Sequence, residues 1–286
     1  MKTVVITGGT DGIGRALAQT YLERGDQVAV VGTSQAKGDA FLAAAGDLGA
    51  QGRAWFLPAD LGLIDENTRL IDRLAAQFES LDVLVLAARY HRSARVETPD
   101  GFEANFALFY LSRYLLSHGL VSPLSRSGSA VILNFGAAGL AGPPRWEDLQ
   151  LARQYHGVAA MGHAGSLNDL LAVDFVDRYP DPNIRYVINH PGVVSTSFAG
   201  EYDHAPQTAA EVEQLRLTGK TIDTAVRHIL PFLDPAGQAR LSAVCEGAAV
   251  PLHPETSSLT DARRLHDITR QLLDSRQHSV GDRGLP

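Results

Sequence analysis

The chain has 286 residues and a formal net charge of −7, a balance that argues against a nucleic-acid partner. No run approaches the roughly 20 apolar residues of a membrane span, and the chain enters a strand with no leader ahead of it, so a cytoplasmic location is expected. The single cysteine, Cys245, excludes an internal disulfide and a cysteine-based zinc site; it reads as a buried thiol, and no metal site is expected.

The apolar run Thr3-Val4-Val5-Ile6 reads as a short buried strand, and Gly12 to Arg24 has helical periodicity through Ile13, Leu17, Ala18 and Tyr21. Between them lies Thr7-Gly8-Gly9-Thr10-Asp11-Gly12-Ile13-Gly14. Gly8 allows a tight turn, Gly12 and Gly14 let the backbone approach a pyrophosphate, and the helix start offers unpaired N–H groups to its charge, so the segment reads as a dinucleotide-binding turn.

Strands then follow near residues 27–31, 53–57, 83–86, 130–133, 186–188 and 241–245, alternating with helices near 39–46, 64–78, 101–118, 158–177 and 221–233. This alternation predicts an α/β fold: one Rossmann-type domain, a doubly wound parallel sheet with helices on both faces and ligands beyond the strand carboxyl ends. The polar stretch 197–219, helical over 209–217, reads as a substrate lid. A last helix is expected over 260–275, with Leu265, Ile268 and Leu272 on one stripe; the domain is drawn as 1–275 and 276–286 as a disordered tail.

Several motifs together resemble the short-chain dehydrogenase/reductase family. They are the Thr-Gly-x-x-x-Gly-Ile-Gly turn, Ala59-Asp60-Leu61 after the third strand, and His190-Pro191-Gly192-Val193-Val194-x-Thr196 after the sixth. Asp148-Leu149-Gln150 with Tyr155 and Asn168 is similar to the retinol-dehydrogenase-like branch, and the likeness covers about residues 2–245. The resemblance implies a nicotinamide cofactor held by Gly8, Thr10, Asp11, Gly12, Ile13, Gly14, Thr33, Ser34, Asp60, Leu61, Ala87, Ala88, Pro191, Gly192, Val194 and Thr196. It assigns Asp60 to the adenine amino group and Thr196 with the Val194 backbone to the carboxamide. Asp60 as a helix cap and Pro191-Gly192 as a plain turn are the alternatives. After the second strand stand Gly32, Thr33 and Ser34 with no acid, which favours NADP(H) over NAD(H), with Arg15 or Lys37 as phosphate partners.

The family's reduction needs a tyrosine acid, a lysine that lowers its pKa, a serine donor and an asparagine that holds a water. Aligned on Asp148-Leu149-Gln150, Tyr155 and Asn168, this chain has Met161 for the tyrosine, Gly165 for the lysine, Gly136 for the serine and Phe109 for the asparagine; shifting by one residue gives Gly162 and Ser166. Loop Leu86-Ala87-Ala88-Arg89 stands where Asn-Asn-Ala-Gly is usual. The glycines at 136 and 165 are expected to enlarge the site, and Met161 with Phe109 to make it apolar.

Replacement chemistry is sought in Arg89, Tyr90, His91 and Tyr155: an anion clamp from arginine, and proton transfer from histidine or a tyrosine. A solvated cluster is the other reading of the loop 89–91. His163, turned about 200° from residue 161, and His190 read as structural, and Tyr110 and Tyr114 as core. Three functions remain open. The preferred one is a non-redox step (cyclisation, dehydration, isomerisation or aldol-type chemistry) on a small apolar carbonyl compound. The others are NADPH-dependent carbonyl reduction with a substituted proton donor, and a non-catalytic protein that senses cofactor or scaffolds a partner. The resemblance adds a possible homodimer through the fourth and fifth helices. Arginine-heavy, lysine-poor usage points to a GC-rich bacterial genome and specialised metabolism.

Overall fold

The computed structural model describes residues 1–140, 142–203, 206–234 and 239–281. The apolar runs become strands and the amphipathic ones helices. In chain order these are β1 (Thr3–Thr7), α1 (Gly12–Glu23), β2 (Gln27–Gly32), α2 (Gln35–Asp47), β3 (Ala54–Pro58), α3 (Ile64–Gln77) and β4 (Val83–Leu86). Next come β5 (His91–Arg92), α4 (Ala104–Phe106), α5 (Ser112–Gly119), α6 (Val121–Ser125), β6 (Ala130–Phe135), α7 (Gly157–Arg178), β7 (Ile184–His190) and β8 (Gly200–Glu201). The chain closes with α8 (Pro206–Thr218), α9 (Ile222–Leu233), β9 (Leu241–Cys245), β10 (Ala248–Val250) and α10 (Leu259–Gly281).

The main sheet has the order β10-β9-β7-β6-β4-β1-β2-β3. All its pairings are parallel except β10 on β9. Successive strand residues point to opposite faces. Val5, Val31, Leu84 and Leu86 meet Leu70 and Leu74 of α3 and Phe175 of α7 on one side. Val4, Ile6, Val28 and Val85 meet Leu17 and Tyr21 of α1, Phe41 of α2 and Ile229 of α9 on the other. The chain runs outward from β1 to β3 and then returns to β4 on the far side of β1, so a crevice opens where Thr7 pairs with Leu86.

Several elements differ from the sequence expectation. The helix read over 101–118 starts at Ala104, because Gly101 is left-handed (φ +80°) and both Glu103 carboxylate oxygens cap it, accepting from Asn105 N (2.9 Å) and Phe106 N (2.6 Å). A π-turn, Ala107–Leu111, joins α4 to α5. The pairing of β5 with β8 ties the loop after β4 to the lid, and β10 adds an antiparallel edge. Helix α10 runs past Ser275 to Gly281; residues 282–286, and His204 and Ala205 of the lid, lie outside the described residues.

Helix α10 lies over α5 and α7. Tyr110 shares a hydrogen bond with Thr269 (2.7 Å) and Tyr114 with His266 Nδ1 (3.2 Å), both tyrosines being buried. Cys245 is half-buried rather than buried. Among the described residues no helix is long and apolar enough to cross a membrane.

Candidate active site

A cleft of about 1630 Å³ opens at the carboxyl ends of β1, β4, β6 and β7. A drug-sized ligand takes roughly 300–1,000 Å³, so this space suits an extended molecule together with a second reactant. Of the residues assigned above to cofactor binding, all but Arg15 line it, as do Arg89, Tyr90, His91, Tyr155, Phe109, Gly136, Met161 and Gly165.

The half of the cleft around β1 is built by close backbone approach. A Cβ on Gly8, which is left-handed at φ +68°, would lie 2.9 Å from Ala87 O, and one on Gly14 only 2.4 Å from Gly8 O. Thr7 Oγ1 accepts from the Ala87 and Ala88 N–H groups (3.0 and 3.2 Å), fixing the loop after β4 against the turn. The loop after β7 closes the same space, with Thr196 packed beside Gly12 and His190 Nδ1 accepting from Gly192 N at 3.3 Å. Asp11 caps α1 by accepting from Gly12 N (2.7 Å), while Ile13 and Gly14 keep N–H groups without an intrahelical acceptor. These residues fit a dinucleotide: a glycine cradle, a helix start and a flanking Pro-Gly loop.

Electrostatics around the adenosine end are mixed. Burial works against the Asp11 charge, but hydrogen bonds from Lys37 and Ser197 hold its carboxyl below the ordinary range. Lys37 is paired with Asp11, and both border a smaller cavity of about 220 Å³ with Arg15. Ser34 caps α2 by accepting from Lys37 N (3.3 Å). Asp60 caps no helix; its Oδ1 accepts from Gly62 N (2.9 Å) in a local turn, and Asp100 takes the Ile64 N–H of α3 (2.7 Å).

The half around α7 has a different character. Met161 and Gly165 stand on the cleft side of α7, Gly136 follows β6, and Phe109 lies in the π-turn. The glycines do not enlarge the site, contrary to the sequence expectation: a Cβ on Gly165 would meet Ala137 Cβ at 2.8 Å, and one on Gly136 would meet Ile188 Cγ2 at 2.8 Å. Neighbouring side chains have closed into the space. Arg89 reaches across the cleft mouth, its Nη2 3.9 Å from Met161 Sδ, its Nη1 donating to Ala199 O (3.3 Å) and its Cζ 5.8 Å from the Phe198 ring centre.

The proton donors sought in the sequence are held in other bonds. The Tyr155 hydroxyl donates to Glu103 Oε1 (3.0 Å) and accepts from Asn105 Nδ2 (2.6 Å); burial and the Glu103 charge push its pKa up. Tyr90 donates to Glu201 (3.3 Å) under the Arg92 guanidinium, and burial with Glu201 raises it too. His91 does not project from its loop: it is 3% exposed, packs beside Tyr202 and Gly157, and burial together with Arg89 lowers its pKa to about 4. Its neutral form is favoured near neutrality. His163 is structural, its Nε2 accepting from Arg145 N (3.0 Å). Among the described residues the three lysines pair with Asp234, Asp11 and Glu246, and none with a tyrosine.

Two charged residues escaped the sequence reading. Arg113 is buried at the cleft floor, its Nη1 donating to Asn134 Oδ1 (3.0 Å) and to Phe135 O. Asp169 sits behind Gly136 with Oδ2 accepting from Gly139 N (2.9 Å) and Thr256 Oγ1 (3.2 Å), while Oδ1 has no hydrogen-bond partner of good geometry among the described residues; burial raises its pKa to about 6. The available signal was a lone charge inside an apolar helical run, Leu111 to Leu116 and Leu167 to Leu171. Away from the cleft, His118, Asp174 and His266 bring potential ligand atoms within 4.8 Å of one another. Both Asp174 oxygens there already accept from Arg178.

Comparison with known proteins agrees with this architecture. A family model described as "short chain dehydrogenase" matches residues 2–146. "Retinol dehydrogenase 12" of Mus musculus is 30% identical over 197 residues, covering 68% of this chain and 61% of that protein, so the chain spans less than two thirds of that relative's length. "Putative daunorubicin C-13 ketoreductase DnrU" of Streptomyces sp. (strain C5) is 32% identical over 279 residues, 96% of this chain and 88% of that one. Among solved structures, a short chain dehydrogenase from Burkholderia cenocepacia in complex with NADP has a TM-score of 0.66 at 20% identity, covering 86% of this chain and 97% of that one. The fold, the glycine turn and these likenesses together place the chain in the short-chain dehydrogenase family.

Proposed function

We propose that the protein binds NADP(H) in this cleft and carries out a non-redox step, such as isomerisation, dehydration, cyclisation or aldol-type chemistry, on a small apolar carbonyl compound. The glycine cradle, the α1 start, Asp60 and the Pro191–Thr196 loop would hold the nucleotide. Arg15 and Lys37 beside the small cavity, with no acid at the end of β2, support a 2′-phosphate; an NADP complex of the same fold agrees with that choice. When bound, the nicotinamide supplies a hydride donor or acceptor surface.

The observation that carries the non-redox part is Arg89 beside Met161. Where reduction needs a hydroxyl that gives up a proton, this chain presents a thioether and a guanidinium. An arginine binds and stabilises an anionic oxygen, an enolate for instance, without acting as the proton donor. Tyr155, Tyr90 and His91 are each shifted away from acid behaviour at neutral pH. Losing a general acid costs roughly 10²–10⁴ in rate, which leaves carbonyl reduction slow even with hydride in place.

A second reading, carbonyl reduction, is favoured by one observation: the relative that matches nearly the whole chain carries a ketoreductase name. The two separate in one experiment. The protein is incubated with NADPH and a panel of aryl ketones and enones, and products are weighed by mass spectrometry. The non-redox reading expects products of unchanged mass, or lighter by one water, with NADPH undiminished. Products heavier by two hydrogens with matching NADPH consumption establish the reductase and overturn it.

A further inference from the structure

Arg113 is a buried cation that the fold leaves uncompensated. It is 6% exposed, and among the described residues no carboxylate lies within ion-pairing distance of it. The more exposed Arg178 and Arg276, by contrast, meet Asp174 and Asp100. Burial lowers the Arg113 pKa to about 10, so it remains charged at neutral pH. An ionised group taken out of water without a counter-charge is costly, and an anionic ligand group beside it would offset that cost.

The hydrogen bonds show which part of the guanidinium is free. Nη1 is spent on Asn134 Oδ1 and Phe135 O, two acceptors that fix the plane of the group. Asn134 is itself held by Asn168 (3.0 Å) and Tyr186 (3.1 Å), so the anchoring is rigid. Nε and Nη2 make no hydrogen bond among the described residues, although Arg113 lines the cleft. That edge of an arginine is the fork that receives both oxygens of a carboxylate side-on. Phe109, 6.0 Å from Arg113 Cζ, together with Leu108 and Met161, lines the cleft around it with apolar surface.

We infer that Arg113 is the anion-binding group of the substrate subsite, and that the substrate is an apolar carboxylic acid whose carboxylate sits on the Nε–Nη2 edge. This deepens the proposed function and rests on the same cleft being the working site. Arg89 at the mouth and Arg113 at the floor would then act on two different oxygens of one molecule, the first on the reacting carbonyl and the second on the recognition carboxylate.

The test uses naphthoate and its neutral isostere naphthamide, titrated calorimetrically against the full chain with and without NADPH. The wild type is expected to bind naphthoate at least about tenfold more tightly, the size of a charge-assisted bidentate contact. Arg113→Lys keeps part of that preference and Arg113→Met removes it. Equal affinities in the wild type overturn the inference without any variant, which covers the case in which Arg113→Met fails to fold. Loss of the preference in Arg89→Met but not in Arg113→Met overturns it as well, by moving the anion to the cleft mouth. Failure of NADPH to bind would sink the proposed function while leaving the naphthoate comparison intact, so the two failures are distinguishable.

Discussion

The two halves of the cleft are built on different principles. Around β1 the site is made of backbone: glycines whose Cβ positions would collide with neighbouring main chain, helix-start N–H groups, and a threonine that pins the adjoining loop. Around α7 it is lined by Met161, Gly165, Gly136 and Phe109, the positions at which the proposed function has the chain part from the reductase pattern. Such a cradle tolerates few substitutions, because a Cβ on Gly8 or Gly14 meets main chain that cannot yield. A side-chain site can change chemistry while the scaffold stays in place.

The largest effect should come from breaking the backbone half. Gly14→Ala puts a Cβ 2.4 Å from Gly8 O; overpacking strain of about 3 kcal/mol corresponds to a loss of roughly a hundredfold in nucleotide affinity, read by NADPH fluorescence titration. The side-chain half should resist repair. Met161→Tyr with Gly165→Lys writes the reductase pair back, but the lysine Cβ starts 2.8 Å from Ala137 Cβ. The double variant is expected to lose about 1–3 kcal/mol of stability in denaturant melts and to gain no hydride transfer.

Tyr155→Phe sharpens the comparison from the other side. It leaves Glu103 Oε1 and Asn105 Nδ2 short of a partner inside the fold. A stability loss of about 1–2 kcal/mol is expected with NADPH and naphthoate affinities unchanged; a selective loss of turnover would instead make Tyr155 catalytic. The pH dependence has a sign that burial sets. His91 and His163 titrate at about 4 and His118 at about 3, below the ordinary 6.5, because burial favours their neutral forms. Between pH 6.5 and 4 the unfolded chain therefore binds protons that the folded one refuses, and stability falls as pH falls. Asp169, raised to about 6, works in the opposite direction between pH 6 and 4. Burial also lowers His190 and His266, so the lowered histidines outweigh Asp169 and predict a net decline in Tm on acidification through that window.

The sheet and its helices were legible because period-2 and period-3.6 patterns are local, and the cradle because glycines spaced between a strand and a helix mark a close approach of backbone to a phosphate chain. Short elements fixed by tertiary contact were not. The β5–β8 pair depends on His91 and Arg92 meeting residues 200 and 201 across the cleft, which no local pattern announces. Arg113 and Asp169 were missed for a related reason. In sequence each is one charge in an amphipathic helix, and only the packing of α5 and α7 against β6 shows that neither faces water. The glycines at 136 and 165 were read as empty space because the neighbours that fill it, Ile188 and Ala137, belong to other elements.

The central claim is that the nucleotide cradle persists while proton delivery beside it does not. Stopped-flow absorbance of the protein saturated with NADPH and mixed with an aryl ketone acid across the neutral and alkaline range tests both parts at once. The account predicts tight nucleotide binding and a nicotinamide absorbance that stays level at every pH. A decay of that absorbance governed by one titrating tyrosine-like group, and abolished in Tyr155→Phe or Tyr90→Phe, would contradict it.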